Sequence, residues 1–203
     1  MKRVLAAMLL LLFLGVAPWL AASELDAVAA RIEQPQLLRG RFEQDKQVAG
    51  FRKPLHSSGR FVLVRGQGVL WFTERPFASQ LTLTGARLSV ASGGSTRTID
   101  AAAEPALAAI HAVLFDLLGG DIAKLQANFT IAAEWLDDER WRLRLQPKPG
   151  LFAQAFTRIE LEGARQVERV QLFEANGDGT VIAFRELGAG PELSADEATR
   201  LAQ

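Results

Sequence analysis

The sequence contains no cysteine. That excludes disulfides, thiolate catalysis and Cys-ligated metals, and it excludes lipidation of this chain at an N-terminal cysteine. Histidine is almost as scarce. His56 falls in a loop and His111 in an expected helix, without a metal-ligand pattern. Ser58 lies near His56, but no nucleophile-elbow signature surrounds either residue. Asp137, Asp138 and Glu139 share a turn, where solvated carboxylates are expected to be unperturbed and poor general acids. Asn176-Gly-Asp178-Gly179 lacks the spaced ligands and distal Glu of a calcium loop. Gly66-Gln-Gly68 is too short for a phosphate loop, and no helix is expected after it. No cofactor, metal site or enzymatic activity is therefore expected.

An excess of charge of one sign is also missing. The chain has 23 basic and 23 acidic residues. Without Lys2 and Arg3 the balance becomes 21 against 23, a net charge of −2. No basic excess recommends nucleic acid or an anionic membrane surface as a partner. There is no internal repeat, low-complexity stretch or second domain boundary.

What is present begins with a leader. Lys2-Arg3, an apolar run from Val4 to Leu20, and Ala21-Ala22-Ser23 form a basic n-region, an h-region and a small-residue cleavage zone. Residues 1–22 are expected to be a signal peptide cut after Ala22, and 23–203 a single exported domain. About 180 residues suit one domain with a core or an enclosed cavity.

The mature chain is organised around Ser57–Pro76. Phe61-Val-Leu-Val64 and Val69-Leu-Trp-Phe72 flank a glycine-containing link and read as a β-hairpin. Strand alternation puts Phe61, Leu63 and Arg65 on one face, and Val69 and Trp71 on one face of the partner. Both faces of the hairpin are partly apolar, so one covers a core and the other meets a second layer or a cavity. On its residues alone Arg65 is a solvated turn residue or a donor at a cavity mouth.

Before the hairpin, Ser23–Gln34 reads as a helix capped by Ser23 and ended by Pro35. Leu38–Val48 reads as a strand with Leu38, Gly40 and Phe42 inward and Arg39, Arg41, Glu43 and Asp45 on the wet face. After it come short strands at Ser79–Thr84 (Leu81 and Leu83 inward), Leu88–Ala91 and Thr96–Ile99, an antiparallel meander. Glu104–Leu118 interrupts the meander as a helix with an apolar face of Leu107, Ile110, Leu114, Leu117 and Leu118, ended by Gly119-Gly120. It is a plug or a movable lid. A helical turn at Asp121–Leu125 follows. Strands resume at Asn128–Ala133, Trp141–Gln146, Arg158–Glu162, Val167–Glu174 and Thr180–Leu187, with a loop over Pro147–Phe156. Ser194 and Glu197 form a capping-box pattern for a terminal helix. Trp71, Trp135, Trp141, Phe61, Phe129 and Leu143 recur on the strands, a pattern that a packed core alone can explain.

The order Phe42…Gln44…Lys46, Pro54-Leu55…Ser58-Gly59-Arg60-Phe61, Arg65, Trp71-Phe72 and Pro76 resembles the opening of the LolA-like periplasmic lipoprotein carriers. The resemblance covers Leu25–Leu83 well and keeps the element order to about Leu187. It implies an α+β, mainly β fold: a half-open antiparallel β-barrel wrapped over helices, with an apolar cavity for acyl chains. It implies a periplasmic carrier that moves acylated lipoprotein or another lipid from inner to outer membrane, as a monomer, between an inner-membrane exporter and an outer-membrane acceptor. The alternative is a LolA-like sensor or accessory module that binds an acylated ligand and acts through a protein partner. The cavity would take Phe42, Phe61, Leu63, Val69, Trp71, Leu81, Leu83, Phe129 and Trp141 from the strands, and Ile110, Leu114 and Leu117 from the lid. Trp71 matches a cavity-lining tryptophan of the carriers, and Arg65 matches the arginine that holds their lid closed. The chain lacks the final strand with an aromatic-and-proline pattern that many carriers show.

Overall fold

A computed structural model describes residues 23–85, 87–100, 116 and 119–202. The expected leader lies outside the described residues. So does the expected helix Glu104–Leu118 apart from Asp116, and with it Ile110, Leu114 and Leu117.

The described elements are α1 (Glu24–Arg31), β1 (Leu37–Gln47), β2 (Leu55–Val64), β3 (Gly68–Arg75), β4 (Ser79–Thr84), β5 (Arg87–Ser92) and β6 (Ser95–Asp100). They continue as α2 (Ile122–Asn128), β7 (Phe129–Trp135), β8 (Trp141–Pro147), α3 (Leu151–Ala155), β9 (Phe156–Gly163), β10 (Val167–Glu174), β11 (Gly179–Gly188) and α4 (Ala195–Ala202).

All eleven strands form one sheet in the order β6-β5-β4-β3-β2-β1-β11-β10-β9-β8-β7. Every neighbouring pair is antiparallel. Two meanders are joined where β1 meets β11. The outermost strands β6 and β7 do not pair with each other, so the barrel stays half open.

The sheet curls because one of its faces must be covered. Val28 and Ile32 near α1, Ile122 and Leu125 of α2, and Phe152 of α3 belong to the same buried cluster as Phe42, Phe61, Trp141, Leu143 and Leu161 from strands on both sides of the β1–β11 seam. A flat sheet could not bring these strands to one group of helices. Full burial of each Leu- or Phe-sized side chain contributes about 1.5–3 kcal/mol, so the wrap is driven by the helices it encloses.

Local chemistry sets the details. Ser23 caps α1 reciprocally: its Oγ accepts from Asp26 N–H at 3.2 Å, and Asp26 Oδ2 accepts from Ser23 N–H at 3.3 Å. The helix stops at Arg31, before the expected Gln34. Ile32 turns extended, and Glu33 N–H donates to the Arg165 carbonyl at 2.6 Å. A cross-chain partner and the approaching Pro35 outweigh one more helical turn. Conversely, α2 runs beyond the expected Leu125 to Asn128 because Ile122 and Leu125 bury against the core. The expected Pro147–Phe156 loop contains α3, which buries Phe152.

In the Ser58-Gly59-Arg60-Phe61 motif the glycine is required by space. A Cβ at Gly59 would collide with the Phe72 carbonyl and reach the Phe42 ring at 3.0 Å. The β2–β3 pairing shifts register beside it.

The outer face of the hairpin meets a second packed layer. Val62, Val64 and Leu70 form a small buried cluster with Leu201 of α4, joined by Leu37, Phe72 and Leu193. Arg39, expected on the wet face, is drawn into this layer. Its Nη1 and Nη2 each donate to a Glu197 carboxylate oxygen at 2.8 Å, and it also donates to the carbonyls of Pro191 and Glu192. The terminal helix is thus clamped to β1 as well as packed on β2 and β3. Glu197 completes the expected capping box with Ser194. Its carboxyl is pulled down to about 2, first by Arg39 and then by the Ser194 N–H, against its own desolvation.

Candidate functional site

The inward face of β2–β5 is built from two transverse rows. Register places Phe61, Trp71, Leu81 and Val90 side by side, and Leu63, Val69, Leu83 and Leu88 in the next row. Along the first row cover is lost stepwise. Phe61 is buried, Trp71 and Leu81 are half-buried, and Val90 is 38% exposed. Trp71 lies over the Phe42 ring with centroids 3.9 Å apart and meets Phe184 edge-on at 6.1 Å. Phe61 stacks on the same ring at 5.9 Å, so three aromatic side chains fix a tryptophan that stays only half-buried.

On the far side of the seam the inward face is filled. Leu143, Leu145, Ile159, Leu161 and Trp141 are fully buried, and Trp141 Nε1 donates to the Ala164 carbonyl at 2.6 Å. Phe129 packs on Phe152 with centroids 5.4 Å apart.

Of the expected cavity residues, Phe42, Phe61, Leu63, Val69, Phe129 and Trp141 are buried in one cluster, with Trp71 and Leu83 half-buried against it. Leu81 is half-buried beside Trp71. Phe129 and Trp141 lie on β7 and β8, away from the graded row. Phe184 on β11 packs against Phe61 at 5.3 Å and against Trp71, a partner absent from the expected set. The alternation of Ile182 and Phe184 within Thr180–Leu187 was the signal for it.

Arg65 opens the turn between β2 and β3. Its backbone is tied on both sides: its N–H donates to the Gln36 carbonyl at 2.9 Å, and its carbonyl accepts from Gln36 Nε2 at 3.1 Å. From that fixed base its Nη2 donates to the Gly119 carbonyl at 3.1 Å. Gln34 Nε2 donates to the next carbonyl, Gly120, at 2.9 Å. The chain entering α2 is therefore held at consecutive carbonyls by a β-turn and by the segment after α1. Arg65 Nε is buried and has no partner among the described residues. Near these contacts, Lys124 Nζ stands 3.1 Å from Asp121 and 3.7 Å from Asp116. Burial pushes the Asp116 carboxyl up, and Lys124 opposes that shift.

The polar motifs resolve as local structure. His56 Nδ1 pairs with Asp45 Oδ1 at 2.8 Å on the surface. Asp178 accepts the Ala49 N–H at 2.9 Å, and its own N–H donates to Asn176 Oδ1, so the Asn176–Gly179 stretch is a pinned turn. Asp137 departs from the expected ordinary pKa. The N–H groups of Arg140 and Glu139 and the Arg140 guanidinium hold its carboxyl at about 2. No cluster of three or more His, Cys, Asp or Glu suited to a metal occurs among the described residues.

The sequence matches the family of the outer membrane lipoprotein carrier protein LolA over residues 33–198. The chain belongs to the LolA family. No curated protein matches it by sequence. Solved structures of similar shape include a LolA superfamily protein from Nitrosomonas europaea, at 11% identity and a TM-score of 0.46, covering 86% of this chain and 94% of that one. An outer membrane lipoprotein-sorting protein domain from Vibrio parahaemolyticus matches at 10% identity and 0.47, covering 89% and 97%. The MucA/MucB complex from Pseudomonas aeruginosa matches at 17% identity and 0.39, covering 85% and 58%. No helix of the described residues is long and apolar enough to cross a membrane.

Proposed function

We propose that this LolA-family chain is a periplasmic carrier. It shields the acyl chains of lipoproteins, or of another acylated lipid, against its inward face and moves them from the inner to the outer membrane. The carrying observation is the graded row Phe61–Trp71–Leu81–Val90, an apolar strip whose exposure rises across the sheet. Each CH₂ of an acyl chain withdrawn from water is worth about 0.8 kcal/mol. A long chain therefore does not cross an aqueous compartment unaided, and a half-covered apolar face lowers that barrier.

In this reading residues 1–22 direct export and are removed. The remaining single domain takes cargo from an inner-membrane exporter and yields it to an outer-membrane acceptor. Phe42, Phe61, Leu63, Val69, Trp71, Leu81 and Leu83 line the acyl site. Arg65 holds the segment before α2 in its closed position. A hydrogen bond to a charged group contributes about 1.5–3 kcal/mol, enough to bias an opening equilibrium and small enough for bound acyl chains to reverse it.

Mass spectrometry of lipid that co-purifies with the protein from a periplasmic extract tests the reading. Acylated peptide or lipid, lost on Trp71→Asp with Leu81→Asp, is the expected result. Lipid-free protein that also takes up no fatty acid in vitro would overturn it.

A further inference from the structure

Net charge conceals a strong segregation. Residues 46–99 hold eight basic residues and one acidic residue, Glu74, a local net of +7. Residues 100–203 hold ten basic and seventeen acidic residues, a net of −7. The positive segment runs from Lys46 near the end of β1 to Ile99, one residue before the end of β6, so one half of the sheet is basic.

Within that half, apolar exposure is concentrated at one end. The β1–β2 pairing closes at Lys46↔Leu55 and the β2–β3 pairing at Ser58↔Arg75. The loops 48–54 and 76–78 therefore leave the sheet together, at the end opposite the Arg65 turn. Phe77 is 81% exposed, Phe51 64% and Leu55 59%. These are three of the five large hydrophobic side chains exposed among the described residues. Arg52, Lys53 and Arg75 are exposed beside them. The ion pairs formed nearby, Arg41 and Arg60 with Glu74, Lys46 with Glu174 and His56 with Asp45, use none of those three cations.

The loop that carries Phe51 is ordered by its own bonds. Phe51 N–H donates to the Val48 carbonyl at 3.0 Å, and Gln47 Nε2 donates to the Phe51 carbonyl at 2.6 Å. Ala49 N–H is held by Asp178. Gln47 and Asp178 thus brace the backbone while the Phe51 ring stays in water, so little ordering entropy remains to be lost on docking.

We infer that this end of the barrel docks on an anionic phospholipid bilayer, with Phe51, Leu55 and Phe77 entering the interface and Arg52, Lys53 and Arg75 meeting lipid phosphates. Apolar side chains beside exposed cations that form no ion pair among the described residues are the composition of interfacial membrane binding. The surface lies at the far end of the sheet from the latch, and the inference does not rest on the cargo reading.

Flotation of the chain from Ser23 onward, which contains every described element, with sized vesicles tests it. Binding to phosphatidylglycerol-rich vesicles is expected, with none to pure phosphatidylcholine. It should weaken as salt shortens the Debye length from about 10 Å at 0.1 M to about 3 Å at 1 M. Arg52→Gln with Lys53→Gln and Arg75→Gln should lower affinity about fivefold per charge, roughly a hundredfold together. Phe51→Ser with Phe77→Ser should lower it at least tenfold and leave thermal unfolding unchanged. If that pair misfolds, the charge variant decides alone. Failure of the wild type to float with anionic vesicles overturns the inference and leaves an acidic protein face as the occupant. Equal flotation with phosphatidylcholine, or wild-type flotation by the charge variant, overturns it as well. Loss of membrane binding with fatty-acid uptake intact separates this surface from the acyl site.

Discussion

The two halves of the sheet use the same inward alternation to opposite ends. In β7–β10 the inward residues Leu143, Leu145, Ile159 and Leu161 are sealed by one another and by α1, α2 and α3. In β3–β5 one inward row, Trp71, Leu81 and Val90, gains exposure along its length, while Val69 and Leu88 in the next row stay buried. One half is a core that happens to be curved. The other is, among the described residues, buried in one row and partly exposed in the next, and the seam residues Phe42 and Phe184 belong to both. An apolar strand face thus does not tell what it faces. The helices available to cover it decide that.

The largest expected contrast is energetic. Leu161→Ala should destabilise the chain by about 2–5 kcal/mol in denaturant unfolding, because it leaves a cavity among packed neighbours. Leu81→Ala should cost much less, because its side chain is already partly exposed. Equal losses at the two positions would break the comparison.

The outer layer sharpens the contrast from behind, since α4 covers the outer face of β2 and β3 with a second small core. Arg39→Ala removes a doubly hydrogen-bonded, largely buried ion pair and leaves Glu197 without its cation. Hydrogen exchange over residues 195–202 should accelerate strongly while β7–β10 stay protected. The same contact fixes an acid dependence. Glu197 has a carboxyl depressed from 4.5 to about 2 in the fold. Its stabilisation is therefore complete above about pH 4.5 and is lost as the pH falls through about 2. Loosening of α4 confined to that window, and missing from Glu197→Gln, is the expected result.

A smaller effect is expected at the latch. Arg65→Leu should leave the unfolding midpoint nearly unchanged and still accept fatty acid. Transfer of cargo from preloaded protein to acceptor membranes should slow, because the closed position no longer competes with bound chains. Transfer equal to wild type would return Arg65 to an ordinary turn residue.

Much of the fold was legible in the sequence because its signals are local. The Ser23 and Ser194 caps, the hairpin at Phe61–Phe72, the Asp137 and Asn176 turns and the strand order of both meanders follow from alternation and turn chemistry. What was not legible depends on distant partners. Arg39 reads as a solvated strand residue until Glu197, 158 residues later, closes on it. Glu33 leaves its helix for the Arg165 carbonyl. Phe129 and Trp141 carry the same alternation as Trp71, and only the described helices packed on their side mark that face as filled. Whole-chain net charge likewise hid the basic segment at 46–99, because an equal acidic surplus follows it.

The central claim is that the uncovered half of the inward face, at Trp71, is where acyl chains lie. The direct measurement is quenching of tryptophan emission by a fatty acid brominated along its chain, using the chain from Ser23 onward. Its tryptophans are Trp71, Trp135 and Trp141. Quenching in the wild type that vanishes in Trp71→Phe and persists in Trp135→Phe and Trp141→Phe is the predicted result. Quenching that survives unaltered in Trp71→Phe would contradict the account and place the acyl chain elsewhere.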